Sequence, residues 1–284
     1  MRGNREAETP KADYPSSPRV LIRLRRIFGD SKGQSPFVLM FLLIWLGLST
    51  QGGLTQGDID SLLTYANYLY NNRHLADSNF LRSQRIFQDI LDLNPHNEEA
   101  LKGMSEINYA LGDKAKTQDK KLHFFNQGMV LAETLIKVND KNPWGHFWFA
   151  ANYGAICQIR GILKSLAGLK KIRAGFNRAL ELDPQNSDVI YALAILSLRA
   201  PSFAGGDREK GILYLKRAIQ YDPKFTLPYL DLAEHYLKTK NYDKAKELLN
   251  TVIEMKDPKY PADYFLKDKP RAQKLLAKLK TEGK

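Results

Sequence analysis

The sequence predicts an all-α fold: an α-solenoid of about five degenerate helix pairs followed by a C-terminal capping helix. Two observations carry this. A nine-residue phrase recurs, with residues 176–184 reading FNRALELDP, 215–223 reading LKRAIQYDP and, more loosely, 87–95 reading FQDILDLNP. Self-similarity at this range marks stacked units, each of which buries its apolar face only against its neighbours. The second observation is the helical spacing of apolar residues between these phrases. An apolar content of 43% and a charged content of 26% describe an ordinary folded chain.

The chain divides into a leader (1–35), an apolar stretch (36–53) and the repeat domain (54–284). Residues 1–18 are rich in Pro, Ser and charge and read as disordered. Residues 37–48, FVLMFLLIWLGL, carry no charge. At 12 residues the run fits a secretory h-region better than a membrane span of about 20. An uncleaved anchor is the rival, and basic residues before the run keep the N-terminus cytoplasmic in both cases. The domain is therefore expected on the periplasmic side of the cytoplasmic membrane, anchored or free.

The first pair is expected at 58–70 and 79–93, stopped by Asn94-Pro95, because proline lacks an N–H and its ring clashes with the preceding turn. The second pair takes 98–110, broken at Leu111-Gly112-Asp113, and 117–138, ended by Asn142-Pro143. Residues 144–163, WGHFWFAANYGAICQIRGIL, are apolar nearly all round and read as a central buried helix. Gly154 and Gly161 imply close approach by a neighbouring helix, since each costs about 1 kcal/mol relative to Ala. Asn152, Ile156 and Arg160 share a face of it. Arg160 is expected in an internal ion pair, or with its stem lying along apolar surface and its head in water, or as a polar point in an internal groove.

A turn at Lys170-Lys171 precedes the next helix, 172–183, and 187–198 follows. The loop RAPSFAGG (199–206) leads to Asp207 as an N-cap. Its two glycines lack the GK[ST] and the preceding strand of a phosphate loop, so it reads as a helix-to-helix turn. The last pair is 226–238, with Thr226 as N-cap, and 242–254. A lysine-rich helix at 268–279 then supplies the polar outer face that a terminal repeat needs. The repeat-end prolines, Pro95, Pro143, Pro184, Pro223 and Pro258, are unevenly spaced, so the array is degenerate.

The recurring phrase resembles the second helix of a tetratricopeptide repeat and the turn after it. The segments GHFWFAANYGAICQIRGILKSL, FNRALELDP and RAPSFAGGD together resemble the TatT family, the periplasmic tetratricopeptide components associated with TRAP transporters. They are also similar to the helical-repeat domain of regulator-of-microtubule-dynamics proteins. The resemblance spans about residues 58–280. It implies a ligand groove or pore, a tendency to oligomerise and docking of a periplasmic solute-binding protein. TatT proteins are typically lipoproteins, and here no cysteine follows the apolar run as a lipidation site would require.

A net charge of +12 invites a nucleic-acid reading, but the lysines are scattered over helix surfaces and no groove-reading motif accompanies them. Cys157 lies in an apolar pattern and reads as a small core residue. The five histidines have no metal-ligand spacing, and HExxH, CxxC and GxSxG are all missing from the sequence. No cofactor and no enzymatic activity are expected. Repeat phase puts the first helix of each pair on the concave surface. It nominates Lys102, Glu106, Tyr109, Asn152, Gln158, Arg160, Tyr191, Arg199, Glu234 and Lys238 as groove residues, with Phe147 and Leu230 expected to pack in the core. The function read from this is an exported scaffold that binds a protein partner. The alternative is a carrier of an apolar small molecule, with Trp144, Trp148 and Tyr153 as its lining, working, as the TatT resemblance implies, with a TRAP-type transporter.

Overall fold

The computed structural model describes residues 55–281. The leader and the apolar run lie outside that range. The chain separates into two units, Met1–Ile59 and Asp60–Lys284; the described residues of the first begin the first helix. The fold is all-helical among the described residues. Five antiparallel pairs follow one another: α1 (Gln56–Asn71) with α2 (Asp77–Leu93), α3 (Glu98–Lys114) with α4 (Gln118–Val138), α5 (Pro143–Ile159) with α6 (Ile162–Leu182), α7 (Ser187–Arg199) with α8 (Arg208–Tyr221), and α9 (Thr226–Lys238) with α10 (Tyr242–Glu254). The C-terminal segment is a short helix α11 (Pro261–Asp263), a π turn (Tyr264–Asp268) and α12 (Lys269–Thr281).

The recurring phrase becomes a recurring turn. After α2, α4, α6 and α8, the backbone N–H of Asn94, Asn139, Asp183 or Asp222 donates to the carbonyl four residues earlier, at 2.8–3.0 Å. Three residues on, Asn97, Asn142, Asn186 or Phe225 donates back to that same turn residue. The three asparagines then cap the next helix through their side chains. Such a cap contributes about 1 kcal/mol by satisfying an N–H that the helix leaves open.

The apolar stripes meet where the phrase predicts. Ala150, Phe176, Ala179, Val189 and Leu193 form one core between the third and fourth pairs. Leu230, Leu249, Val252 and Tyr264 form another under the C-terminal segment. Small residues allow close crossings: Ser105 Oγ donates to the Gly128 carbonyl at 2.7 Å, and a Cβ on Gly128 would stand 2.4 Å from Asn152 Oδ1.

Several expected boundaries differ. Helix α3 continues through Gly112, which is buried against the Phe125 ring, so Leu111-Gly112-Asp113 is no break. Pro143 does not end α4; it opens α5 at a position whose N–H is not needed. The buried helix stops at Ile159, and Gly161 turns the chain with φ 96° rather than admitting a neighbour. Lys170 and Lys171 lie inside α6, which starts ten residues earlier than the sequence suggests. Thr226 is the first residue of α9 and not its cap; its hydroxyl donates to Asp268 instead.

Candidate functional site

The first helices of the pairs line a cavity of about 1050 Å³ on the concave side. Its apolar wall is an aromatic chain. Tyr109 of α3 packs on Trp148 of α5 at 5.7 Å between ring centroids, Trp148 on Phe147 at 5.0 Å, and Phe147 on Trp144 at 5.4 Å. Ile162 and Leu166 of α6 and Ile195 of α7 complete this wall. The Lys102 ammonium lies 5.0 Å above the Trp144 ring and pairs with Glu99 at 3.0 Å.

The opposite end is polar and is built from helix termini and the C-terminal segment. Lys259 Nζ pairs with Asp188 at 2.7 Å and with Asp222 at 3.1 Å, and the Tyr260 hydroxyl donates to Asp188 at 2.8 Å. The segment also reaches back to the first and second pairs. Arg73, after α1, pairs with Asp263, His74 stacks on Phe265 at 4.9 Å, and Lys267 approaches Asp113 at 3.5 Å. Within residues 60–284 the array therefore closes on itself, and this clasp forms one side of the cavity.

Glu106 sits between the two ends. Burial pushes its carboxyl up to about 7; Asp188 and Asp263 act in the same direction, against Lys102 and Arg73. The Tyr70 hydroxyl is also pushed well above its usual range, by burial first and then by the adjacent Glu106 carboxylate. Asp268 is raised to about 6, again mainly by burial, with the Thr226 hydroxyl opposing. A carboxyl raised on folding binds more protons in the folded than in the unfolded state between the two pKa values. Its stabilising contribution is complete below about pH 4.5 and is lost as pH rises through about 7. Replacing Glu106 with Gln is expected to flatten the stability profile between those limits by on the order of 2 kcal/mol, at about 1.4 per unit. Urea titrations of both proteins at pH 5 and pH 8 measure this; parallel profiles would place the proton elsewhere.

Of the ten residues nominated from repeat phase, Lys102, Glu106, Tyr109, Gln158, Tyr191 and Arg199 line the cavity. Glu234 and Lys238, with Arg199 again, border a separate hollow of about 320 Å³. Glu234 is engaged there by Arg271 at 2.7 Å. Asn152 is fully buried at the crossing of α3, α4 and α5, donating to Ser105 at 3.2 Å and to the Trp148 carbonyl at 2.9 Å. Arg160 follows the end of α5, away from both hollows. Trp144 and Trp148 line the cavity, whereas Tyr153 stacks on Phe149 under Lys171 on another face. Cys157 is a buried free thiol at the cavity margin. Sequence reasoning passed over Arg73, Asp188, Lys259, Tyr260 and Asp263. Their one legible signal is the aromatic, proline-spaced stretch PKYPADYF, which is unlike a plain linker.

This stacking of capped helix pairs around a concave surface defines a tetratricopeptide-like helical-repeat protein. Residues 62–198 match the family described as Regulator of microtubule dynamics protein 1-3, and residues 202–279 match the tetratricopeptide repeat. Among curated proteins, the chain is similar to Regulator of microtubule dynamics protein 1 of Bos taurus, at 22% identity over 75% of this chain and 74% of that one. The Mus musculus protein of the same name is 19% identical over 78% of each chain. Among solved structures, it resembles TTC0263, a thermophilic TPR protein of Thermus thermophilus, with a TM-score of 0.57 and 19% identity over 77% of this chain and 99% of that one. The TatT likeness has no counterpart in these matches. No helix among the described residues is long and apolar enough to cross a membrane.

Proposed function

We propose that the chain is a scaffold that holds a segment of a protein partner in the clasped concave cavity. The observation that carries this is the cavity itself, whose lining combines the Trp144, Phe147, Trp148 and Tyr109 rings with the charged and hydrogen-bonding groups of Asp188, Lys259, Tyr260 and Asp263. An extended or helical segment presents the same alternation of apolar and polar groups. Concave repeat surfaces recognise such segments with the first helices of the pairs, which here supply most of the lining.

The setting is part of the same proposal. The apolar run 37–48 delivers the domain to the periplasmic face of the cytoplasmic membrane, as anchor or as cleaved signal, and the partner is an envelope protein. Under the TatT likeness it is a solute-binding protein. The names of the curated relatives point instead to microtubule dynamics, so the partner must be identified by capture.

Photo-crosslinkers at Gln158 and Arg199 in the full-length chain test this against the same groups at Lys216 and Glu247, on the outer helices α8 and α10. Adducts to one protein from the first two positions only are the expected result. Adducts from the outer positions alone would move the binding surface off the cavity. A second reading, a carrier for an apolar small molecule, is favoured by the Trp144–Phe147–Trp148 wall. A ligand retained in native mass spectrometry, with no protein adduct from the cavity positions, would select it.

A further inference from the structure

We propose that the cavity recognises a cation on an apolar stem, a lysine or arginine side chain of the bound segment, held between Glu106 and the Tyr109–Trp148 wall. This rests on the scaffold reading and specifies what the segment must carry.

Asp113, Asp188, Asp222 and Asp263 each hold a cation already, through Lys267, Lys259 or Arg73. Among the described residues, Glu106, Asp183 and Asp268 of the lining make no ion pair; Asp183 is bonded by Asn186 and Asp268 by Thr226, while the hydrogen bond of Glu106 is with the Tyr70 phenol, which is neutral. Lys102, one turn away on α3, is turned to Glu99 and to the Trp144 face. A cavity carboxylate without a salt bridge is complementary to a ligand cation, because the ion brings the charge that the site lacks.

Tyr109 follows Glu106 by three residues, so the two side chains share one face of α3. Tyr109 packs on Trp148, whose indole Nε1 is a buried donor with no acceptor in the protein, one that a carbonyl of the bound segment would supply. Aromatic faces attract cations within about 6 Å, and Lys102 over Trp144 shows this wall already doing so at 5.0 Å. A four-carbon or guanidinium stem lies along such rings while its head meets the carboxylate. An anionic group held against Glu106 would put two carboxyl groups side by side, which disfavours the charge on both.

The test compares three probes of one shape on the full-length wild-type chain: 4-phenylbutylamine, 4-phenylbutanol and 4-phenylbutyrate, followed by tryptophan fluorescence. The amine is expected to bind about tenfold tighter than the alcohol and the carboxylate weakest, a difference of about 1.4 kcal/mol per tenfold. Glu106→Gln should erase the amine's advantage while leaving the alcohol unchanged, and Lys102→Met should increase it. A second arm compares the blocked tetrapeptide Leu-Phe-Lys-Leu with its norleucine analogue. Tighter binding of the lysine peptide than of the free amine assigns the cation to a partner segment, and the reverse order overturns that assignment. Equal binding of amine and alcohol overturns the cation inference and leaves the cavity reading standing. Failure of all three probes to bind overturns the inference as well, whereas the cavity reading is decided separately by the crosslinks.

Discussion

Replacing Gly206 with alanine is expected to remove about 3 kcal/mol or more of stability, whereas the same change at Gly205 should remove only about 1 kcal/mol. The two glycines are adjacent in the turn between α7 and α8 but serve different needs. Gly205 has φ 81° and ψ 22°, a left-handed conformation that an L residue adopts at modest strain. Its nearest neighbour is the Arg173 guanidinium, a flexible group that donates to the Gly205 carbonyl and is able to shift. At Gly206 the obstacle is steric. A Cβ there would lie 1.8 Å from the Ala200 carbonyl oxygen and 2.9 Å from the Pro201 carbonyl carbon. Both are backbone atoms, fixed because Gly206 N–H donates to Pro201 and Asp207 N–H to Ser197, each at 2.9 Å. Relief requires opening the turn, which separates α8 from α7 and disturbs the Ala194–Leu215–Leu232 core between them. Urea denaturation of the two variants checks the ranking. Equal losses would mean that the turn relaxes freely and that its hydrogen bonds hold nothing in place.

That turn illustrates which parts of the molecule can be read from local sequence. The helix pairs are legible because every repeat buries the same positions, such as Ala179 and Ala218, and so repeats the same residue types. The α6 boundary is not. Lys170 and Lys171 look like a polar break, yet Lys171 runs along the outside of α5 with its ammonium 4.6 Å from the Phe149 ring and 4.9 Å from Tyr153. A long cationic stem covers apolar surface as effectively as it marks a loop. The real break is Gly161, where a positive φ and not a polar run stops the helix. The same division holds for the cavity. Repeat phase finds Lys102, Glu106 and Tyr109 because they follow helical periodicity. It misplaces Asn152, since a polar residue on an apolar helix serves equally well as a buried bridge between helices. The polar end of the cavity escapes entirely, because it is made by turns and by a C-terminal segment whose contacts span up to 190 residues. No local pattern encodes a closure of that range.

The closure itself gives the second large effect. Asp263→Ala is expected to cost about 3 kcal/mol, Arg73→Met clearly less, and the double variant little more than Arg73→Met alone. The asymmetry comes from burial. The Arg73 side chain is 7% exposed and Asp263 is 29% exposed. Arg73 also donates to the Tyr70 carbonyl at 2.8 Å and lies over the Tyr70 ring at 4.4 Å, so it cannot swing into water without leaving both. Removing Asp263 therefore strands a desolvated guanidinium, while removing Arg73 leaves a carboxylate that still has water and Lys267 at 3.7 Å. Taking both away removes the stranded charge, which is why the cycle should be non-additive. Lys267→Ala should cost little by comparison, because Lys267 is more than half exposed and its pairs with Asp113 and Asp263 are long, at 3.5 and 3.7 Å. Hydrogen exchange supplies a separate readout: Asp263→Ala should release protection in the last turn of α1 and in the Pro261–Asp268 region together, and not in α7 or α8. Equal costs for the two single variants with an additive double would show the two ends to be merely adjacent. A coupled loss would show that contacts between the first pair and the C-terminal segment hold that side of the cavity together.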